Sequence, residues 1–372
     1  MQAYTSKYVF DGTNLHANMA VVTEHNRIKD LIPLSKLEAQ VDIINCGAGV
    51  ITPAFIDLQV NGCGGVLFNQ NISLNTLDTI YKTWLNLGVG WFLPTLITCN
   101  FKQIIQALEV VKQWFEQYGA TKGVIGIHIE GPFISKIKCG IHDVDYIIEP
   151  TMPLLEKIVS YGHFFPIKLT IAPEQFTPEQ IEYLVANNII LAIGHTNATA
   201  EETTAAIKLG AKTATHLFNA MSGLTARNAG AICAILAENV YAGVIADMLH
   251  VDKNNIKLIN KIKPQKIYLV SDAVTAVASS LTSFDLCGKT IFVQGDKYVD
   301  VNNVLAGANL TLNQAVKNCI ESCEISISDT LAMVTSIPAQ VLGLEHKMGY
   351  IKPGYPATLS YLDLTNYNCK TL

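Results

Sequence analysis

Eight short apolar runs rich in β-branched residues recur along the middle of the chain and restrict its fold more than any other feature. The runs are Ile51–Val60, Val89–Ile97, Val124–Ile129, Ile167–Ile171, Ile189–Ile193, Thr213–Leu217, Ala242–Ala246 and Ile267–Val270. Helix-like segments separate most of them, for example Leu74–Leu87, Lys102–Tyr118 and Ala200–Leu209. This alternation is typical of βαβ units in a parallel sheet. Eight units predict an α/β fold, a closed (β/α)8 barrel of the TIM type over residues 51–345.

The two ends of the chain have a different pattern. Short strand-like runs at Lys7–Phe10 and Met19–Thr23 are followed by turn residues, and Gly349–Asp363 holds a Lys-Pro-Gly turn before an alternating strand. Neither end is long enough to bury a core alone. We therefore expect residues 1–50 and 346–372 to pair into one small β-sandwich domain.

Composition excludes several classes of protein. Of the 372 residues, 49% are hydrophobic and 15% charged, which is the opposite of a disordered chain. The net charge is −5 and no block of like charges occurs, so we predict neither a nucleic acid nor a membrane as partner. The net charge does not exclude a small anionic ligand, because a local pocket can be positive on an acidic protein.

The expected compartment is the cytoplasm. The first residues lack the basic and apolar regions of a signal peptide. No run of about 18 uninterrupted apolar residues is present to span a membrane. The nine cysteines are scattered without a CxxC pair, which suits a reducing environment.

Six of the apolar runs end in polar groups able to do chemistry. They are Gln59 and Asn61, then Glu130, His195, His216, Asp247 with His250, and Asp272. In a barrel all these positions lie on the C-terminal face, where active sites of this fold are found. If polar residues only marked the ends of strands, Ser, Asn, Gly and Lys would be expected there. The pattern therefore predicts an active site.

Three of these groups form a candidate metal set. Glu130 lies in HIEGP (128–132), His195 in IGHTNAT (193–199) and His216 in THLFNAM (215–221). Each alone has an ordinary structural interpretation as a solvated carboxylate or a core histidine. Together, two histidines and a carboxylate with an open fourth position are typical of a catalytic divalent metal. Asp272, in LVSDAV (269–274), is then a candidate general base and acid, although in isolation it would be interpreted as a helix N-cap.

Several segments together resemble the N-acetylglucosamine-6-phosphate deacetylases of the amidohydrolase superfamily. They are PAFIDLQVNGCGG (53–65), HIEGPFIS (128–135), KCGIH (138–142), GHTNAT (194–199), THLFNAMSGLTAR (215–227), IADMLHVD (245–252), LVSDA (269–273) and LAGANLTL (305–312). The resemblance covers nearly the whole chain and implies the barrel and the terminal β domain. It implies a metal-dependent hydrolase of amino sugar catabolism that releases acetate and glucosamine 6-phosphate.

The number of metal ions follows from one departure from the superfamily. Many amidohydrolases carry His-x-His after the first barrel strand, whereas this chain has Gln59-x-Asn61. Amides are poor ligands for zinc compared with imidazole. We therefore expect one divalent ion per subunit on Glu130, His195 and His216, with zinc preferred and iron, manganese or cobalt as alternatives. The two amides are expected beside the site without binding the metal.

The resemblance also implies substrate contacts. His142 is expected to contact the sugar or polarise the amide carbonyl, and Arg227 and His250 are expected to bind the phosphate, because a guanidinium can grip two phosphate oxygens. Such groups can come from a partner subunit, so a homodimer or a dimer of dimers is expected. The full set of expected substrate-binding residues is Ile141, His142, Asn219, Ala220, Arg227, Asp247, Met248, Leu249, His250, Leu305, Ala306 and Gly307.

Some residues depart from the family pattern, and two other functions remain open. Ala54 and Met248 stand where Gly is usual, and Asn228–Ala229 replaces an acidic residue and Pro. These changes leave the proposed ligands in place but alter the expected pocket shape. One alternative is an amidohydrolase acting on an N-acyl amino acid or a cyclic amide. The other is an inactive relative that senses a sugar phosphate, which the presence of every proposed catalytic group disfavours.

Overall fold

The computed structural model describes residues 1–372 and contains the predicted parallel barrel. Its eight strands are Phe55–Val60, Val89–Ile97, Ile127–Glu130, Ile167–Ile171, Ile190–Ile193, Thr213–Ala214, Tyr241–Val244 and Ile267–Leu269. They pair in chain order, each parallel to the next. Between the last and the first, the pairing is a single bridge from Ala273 to Val60. The first seven strands are buried throughout, apart from Tyr241, as expected of a sheet covered by helices and filled inside.

Ten α-helices accompany the strands. They are Leu74–Leu85, Phe101–Tyr118, Met152–Val159, Pro178–Ala186, Ala200–Lys208, Ala231–Ala237, Lys253–Ile262, Leu312–Glu321, Ile327–Ala332 and Ser336–Leu342. The helix that follows His195 begins with a capping box, in which the Thr199 hydroxyl accepts from the Glu202 N–H and the Glu202 carboxylate accepts from the Thr199 N–H. This cap fixes where the loop that carries His195 ends.

Two of the apolar runs contain more than one strand. Val50–Pro53 belongs to the terminal sheet, and the barrel strand begins only at Phe55. Ala54, between them, donates its N–H to Thr358. The third run is likewise divided into a short edge strand, Gly123–Val124, and the barrel strand Ile127–Glu130. Apolar periodicity could not show these divisions, because every residue in both runs is buried.

Strands from both ends of the chain form two sheets. The four-stranded sheet has the order Arg27–Pro33, Met19–Glu24, Gln2–Thr5, Asp42–Asn45. The five-stranded sheet has the order Cys369–Thr371, Leu359–Leu362, Val50–Pro53, Tyr8–Phe10, Leu15–Ala17. A small apolar core shared by the two sheets comprises Val9, Val21, Ile28, Ile51, Ile351 and Leu359. The chain ends thus stabilise each other, since this shared core needs residues from both of them.

Two further elements lie at the C-terminal side of the barrel. A three-stranded antiparallel sheet, Ser283–Leu286, Lys289–Gln294 and Lys297–Val299, is inserted after the last barrel strand, and a two-stranded ribbon joins Gly62–Cys63 to Val66–Leu67. None of the helices combines the length and the apolar character needed to cross a bilayer.

Candidate active site

The three predicted metal ligands meet above the C-terminal ends of barrel strands 3, 5 and 6. Glu130 Oε1 lies 2.8 Å from His216 Nε2 and 3.2 Å from His195 Nε2, and the two Nε2 atoms are 3.1 Å apart. All three side chains are buried. Glu130 is the last residue of its strand, and each histidine lies two residues beyond the end of its strand. The barrel register therefore brings together residues that are 86 positions apart in the chain.

The geometry fits a divalent cation. Two imidazole nitrogens converge on one carboxylate oxygen in a buried space, an arrangement that a bound cation would stabilise. The other ring nitrogen of His195, Nδ1, lies 2.9 Å from the Lys138 carbonyl oxygen. A carbonyl only accepts, so Nδ1 carries the proton and the Nε2 lone pair is free for a metal. Burial alone would raise the pKa of Glu130, but the two histidines hold it well below its usual range.

The functional residues of these strand ends share an unusual backbone conformation. His195, His216 and Asp272 have φ of 47°, 28° and 51°, in the left-handed region that non-glycine residues seldom adopt. Such strain costs on the order of 1–3 kcal/mol for each residue and persists where the surroundings fix it. Here it turns three side chains toward one point.

Asp272 faces the metal ligands and is held by the two amides after strand 1. Its Oδ1 accepts from Gln59 Nε2 at 3.0 Å and from Asn61 Nδ2 at 2.9 Å. The same Gln59 nitrogen lies 3.0 Å from Glu130 Oε2. Burial and the Glu130 charge raise the pKa of Asp272. The two amides thus act as hydrogen-bond donors to carboxylates.

His142 lies beside His195 in the cluster. Its ring packs on His195 with centroids 4.3 Å apart, and its Nδ1 is 2.7 Å from the Thr98 hydroxyl. Burial lowers the pKa of His142 to about 3, and the neighbouring His195 adds to this shift. The imidazole is therefore neutral near pH 7. In this form one ring nitrogen donates a hydrogen bond and the other accepts one.

A cavity of about 210 Å³ opens beside these groups. Its lining includes many of the predicted residues: Asn61, Glu130, Ile141, His142, His195, His216, Asn219, Ala220, His250, Asp272, Leu305 and Gly307. Sequence reasoning missed Ile97, Gly140, Ile245, Val274 and Leu286. The first four adjoin or lie near segments already singled out, whereas Leu286 comes from the inserted sheet and carried no signal. A larger groove, of about 830 Å³, holds none of the metal ligands.

The predicted phosphate residues are less well assembled. His250 lines the cavity, and its Nδ1 lies 2.6 Å from Asp247 Oδ2. Asp247 also accepts the backbone N–H of Leu249 and His250, so it holds the turn in place rather than lining the cavity. Arg227 is exposed on a loop and does not line the cavity. Met248, Leu249 and Ala306 also lie outside the lining.

Comparison with known proteins identifies the family. The model of the amidohydrolase family matches residues 50–371. The chain belongs to the amidohydrolase family. The N-acetylglucosamine-6-phosphate deacetylase of Haemophilus influenzae is 35% identical over 92% of this chain and 90% of its own. An N-acetylgalactosamine-6-phosphate deacetylase of Shewanella is 34% identical, over 85% of this chain and 80% of its own.

Solved structures of the amidohydrolase family agree over the full length of the chain. The N-acetylglucosamine-6-phosphate deacetylase of Pasteurella multocida has a TM-score of 0.96 at 34% identity, covering 100% of this chain and 97% of its own. A mutant of the Mycobacterium smegmatis deacetylase in complex with N-acetyl-D-glucosamine-6-phosphate has a TM-score of 0.92 at 25% identity, with the same coverage. The predicted resemblance and fold are therefore confirmed, and the superfamily's metal dependence agrees with the Glu130, His195 and His216 cluster.

Proposed function

We propose that this amidohydrolase removes the N-acetyl group from N-acetylglucosamine 6-phosphate, giving acetate and glucosamine 6-phosphate in amino sugar catabolism. The observation that carries the proposal is the convergence of Glu130, His195 and His216 opposite Asp272 in one cavity. The deacetylase relatives, at 34–35% identity over most of the chain, support the choice of substrate.

The proposed metal site holds one divalent ion per subunit on Glu130, His195 and His216. Zinc is our first choice because two imidazoles and a carboxylate are ligands that it favours, and iron, manganese and cobalt share this preference in part. Bound there, the ion would supply a Lewis acid that activates water. Gln59 and Asn61 are proposed to stay outside its ligand set, since their nitrogens donate to carboxylates.

The chain's own residues then carry the proton movements. Asp272 accepts a proton from the attacking water through Oδ2, because Oδ1 is occupied by Gln59 and Asn61. It passes that proton to the nitrogen of the departing amine. His142 donates a hydrogen bond to the acetamido oxygen as negative charge develops there. These are general acid–base and electrostatic roles that the positions of the side chains permit.

The substrate's sugar and phosphate are proposed to lie along the rest of the cavity. Ile141, Asn219, Ala220, Leu305 and Gly307 contact the sugar, with Ala306 behind them. His250, oriented by Asp247 with Met248 and Leu249 in the same turn, binds the phosphate. Binding of the distant phosphate orients the amide at the reacting centre.

We further propose that Arg227 reaches the phosphate of a neighbouring subunit in a homodimer or dimer of dimers. Within its own chain the residue is exposed and away from the cavity, and its guanidinium forms no ion pair. A dianionic phosphate needs more positive charge than one histidine that already faces a carboxylate. The site is thus incomplete in a single chain.

The division of the chain and its location are parts of the same proposal. Residues 1–50 and 346–372 are assigned to the terminal β domain, together with 51–53, which complete its strand Val50–Pro53, and 54–345 form the catalytic barrel. The nine cysteines are all free, which is consistent with a reducing compartment such as the cytoplasm.

The decisive experiment measures acetate release by the purified protein loaded with zinc. N-acetylglucosamine 6-phosphate, its unphosphorylated form and N-acetylgalactosamine 6-phosphate are compared. We expect the first to be hydrolysed best. Preference for the galactosamine epimer would move the assignment to the other group of relatives, and absence of release from all three would refute the proposal.

A further inference from the structure

Thr98, the residue that follows barrel strand 2, contacts His142 through two of its atoms. Its hydroxyl lies 2.7 Å from His142 Nδ1, and its backbone N–H points at the same nitrogen from 3.4 Å. The hydroxyl is also 3.4 Å from the Glu130 carbonyl oxygen. Thr98 itself is 3% exposed, so water does not compete for these contacts. It belongs to neither the predicted metal set nor the residues that line the cavity.

The backbone N–H decides which nitrogen of His142 carries the proton. A neutral imidazole has one N–H donor and one acceptor. A backbone N–H can only donate, so a proton on Nδ1 would set two donors against each other. Nδ1 is therefore the acceptor, and the hydroxyl donates its one proton to Nδ1 at 2.7 Å rather than to the Glu130 carbonyl oxygen at 3.4 Å. The proton is left on Nε2, for which the protein offers no hydrogen-bond partner in the cavity that His142 lines.

Space for this contact depends on the chain beside Glu130. Gly131 has a φ of 97°, and a Cβ at this position would overlap the Thr98 hydroxyl. The glycine that follows the metal-ligand carboxylate therefore lets Thr98 approach. The His142 ring also packs against the ring of His195, with centroids 4.3 Å apart. The ring is thus restrained both in its orientation and in its hydrogen bonding.

We infer that Thr98 is a positioning residue that fixes His142 as the tautomer protonated on Nε2, so that the ring can donate to the substrate's carbonyl oxygen. The inference rests on the proposed function for the role of His142, although the tautomer itself does not depend on it. A hydrogen bond aimed at the developing oxyanion requires the donor to be in place before the reaction. Thr98 provides this by occupying the only other ring nitrogen.

The first test observes the tautomer directly. The zinc-loaded enzyme is labelled with ¹⁵N-histidine, and the ring nitrogens are recorded by long-range ¹H–¹⁵N correlation, with H142N used to assign the signals of His142. We expect Nδ1 to resonate as an unprotonated nitrogen and Nε2 as a protonated one. In T98V the backbone N–H remains and only the hydroxyl is lost, so both signals should move part of the way toward the averaged values of mixed tautomers, and T98S should restore the wild-type pattern. A proton on Nδ1 in the wild-type enzyme would overturn the inference, whatever the activity.

The second test separates positioning from mere packing. T98V should lower kcat about 10- to 100-fold, the usual cost of losing a partner that orients an active-site group, with KM nearly unchanged and T98S close to wild type. The loss should be smaller for the N-trifluoroacetyl substrate, because its oxyanion is less basic and needs the donor less. Equal losses for both substrates would contradict the inference.

Matched variants control for the substitution itself. Thr330 is buried and its hydroxyl has no partner, whereas the buried Thr213 hydroxyl lies 3.0 Å from that of Tyr268. T330V and T213V should keep kcat within about two-fold, and the zinc content of T98V should equal that of the wild type. If T213V lowers kcat as much as T98V does, a general loss of barrel stability is responsible and the inference fails. If the wild type does not deacetylate at all, only the proposed function fails, because the NMR result stands alone.

Discussion

The two ends of the cavity differ in how completely one chain builds them. At the metal end, polar atoms of Glu130, His195, His216 and Asp272 lie 2.8–3.2 Å from each other or from Gln59 and Asn61. At the other end, His250 is the one ionisable side chain that lines the cavity apart from the metal-end residues and His142. It is paired with Asp247. The predicted phosphate arginine lies outside.

This difference follows from what each end must do. Groups that move protons have to be held to fractions of an ångström, and a single closed barrel provides that precision. A phosphate far from the reacting bond needs charge more than exact placement, so a residue on an exposed loop of a second subunit can supply it. In the proposed dimer, catalysis would depend on the monomer fold and phosphate recognition on assembly.

Removing the metal should have the largest effect. We expect the chelated protein to lose all deacetylase activity and to regain it when a divalent ion is returned, because the three proposed ligands lie at the centre of the metal end of the cavity. E130Q should lose the bound ion as measured by elemental analysis, whereas R227A should retain one per chain. Full activity of metal-free protein would show that the cluster at this end has another purpose.

Replacing the proposed base should be nearly as severe. D272N preserves the hydrogen-bond acceptor toward Gln59 or Asn61 but removes the proton acceptor, so kcat should fall about 10³-fold. Metal content should stay at one ion per chain. D296N, the same change on an exposed turn, serves as the control and should have wild-type kinetics. Retained turnover in metal-loaded D272N would refute the assigned role.

The phosphate end should respond more weakly and only to phosphorylated substrate. R227A should lower kcat/KM for N-acetylglucosamine 6-phosphate about 10- to 100-fold, as expected for a charged hydrogen bond of about 1.5–3 kcal/mol. Its effect on the unphosphorylated sugar should be negligible. R27A, which removes an exposed arginine at the larger groove, is the control.

Mixed dimers would sharpen this result. When D272N and R227A subunits are unfolded together and refolded in equal amounts, half of the dimers are mixed. Each mixed dimer has one site with an intact base and an intact partner arginine, so about a quarter of the wild-type rate should return. No recovery in dimers shown to be mixed would mean that Arg227 serves its own chain.

The smallest effect is expected at the residue that orients His250. D247N keeps an oxygen for the backbone N–H groups of Leu249 and His250 but weakens the contact with the imidazole. KM for the phosphorylated substrate should rise a few-fold to about 10-fold, with kcat unchanged. A fall in kcat without a change in KM would place Asp247 with the catalytic end instead. D296N again provides the control.

The sequence alone supplied most of the chemistry. Apolar runs followed by Glu130, His195, His216 and Asp272 predicted the barrel and the grouping of these residues, because the C-terminal ends of barrel strands always share one face. The family was also predictable, since its segments remain intact along the chain. The Gln59-x-Asn61 pair predicted two amides beside the site that are not metal ligands. It did not predict that they donate hydrogen bonds to Asp272 and Glu130.

Only the tertiary structure showed how those residues contact each other. The sharing of Asp272 Oδ1 by two amides, the approach of Thr98 to His142 and the contribution of Leu286 depend on distances between segments far apart in sequence. The position of Arg227 outside the cavity likewise depends on the path of a loop. Residue type and strand position fix which groups reach the barrel mouth, because the strand period is regular. Loop paths and hydrogen-bond partners have no such period, and packing decides them.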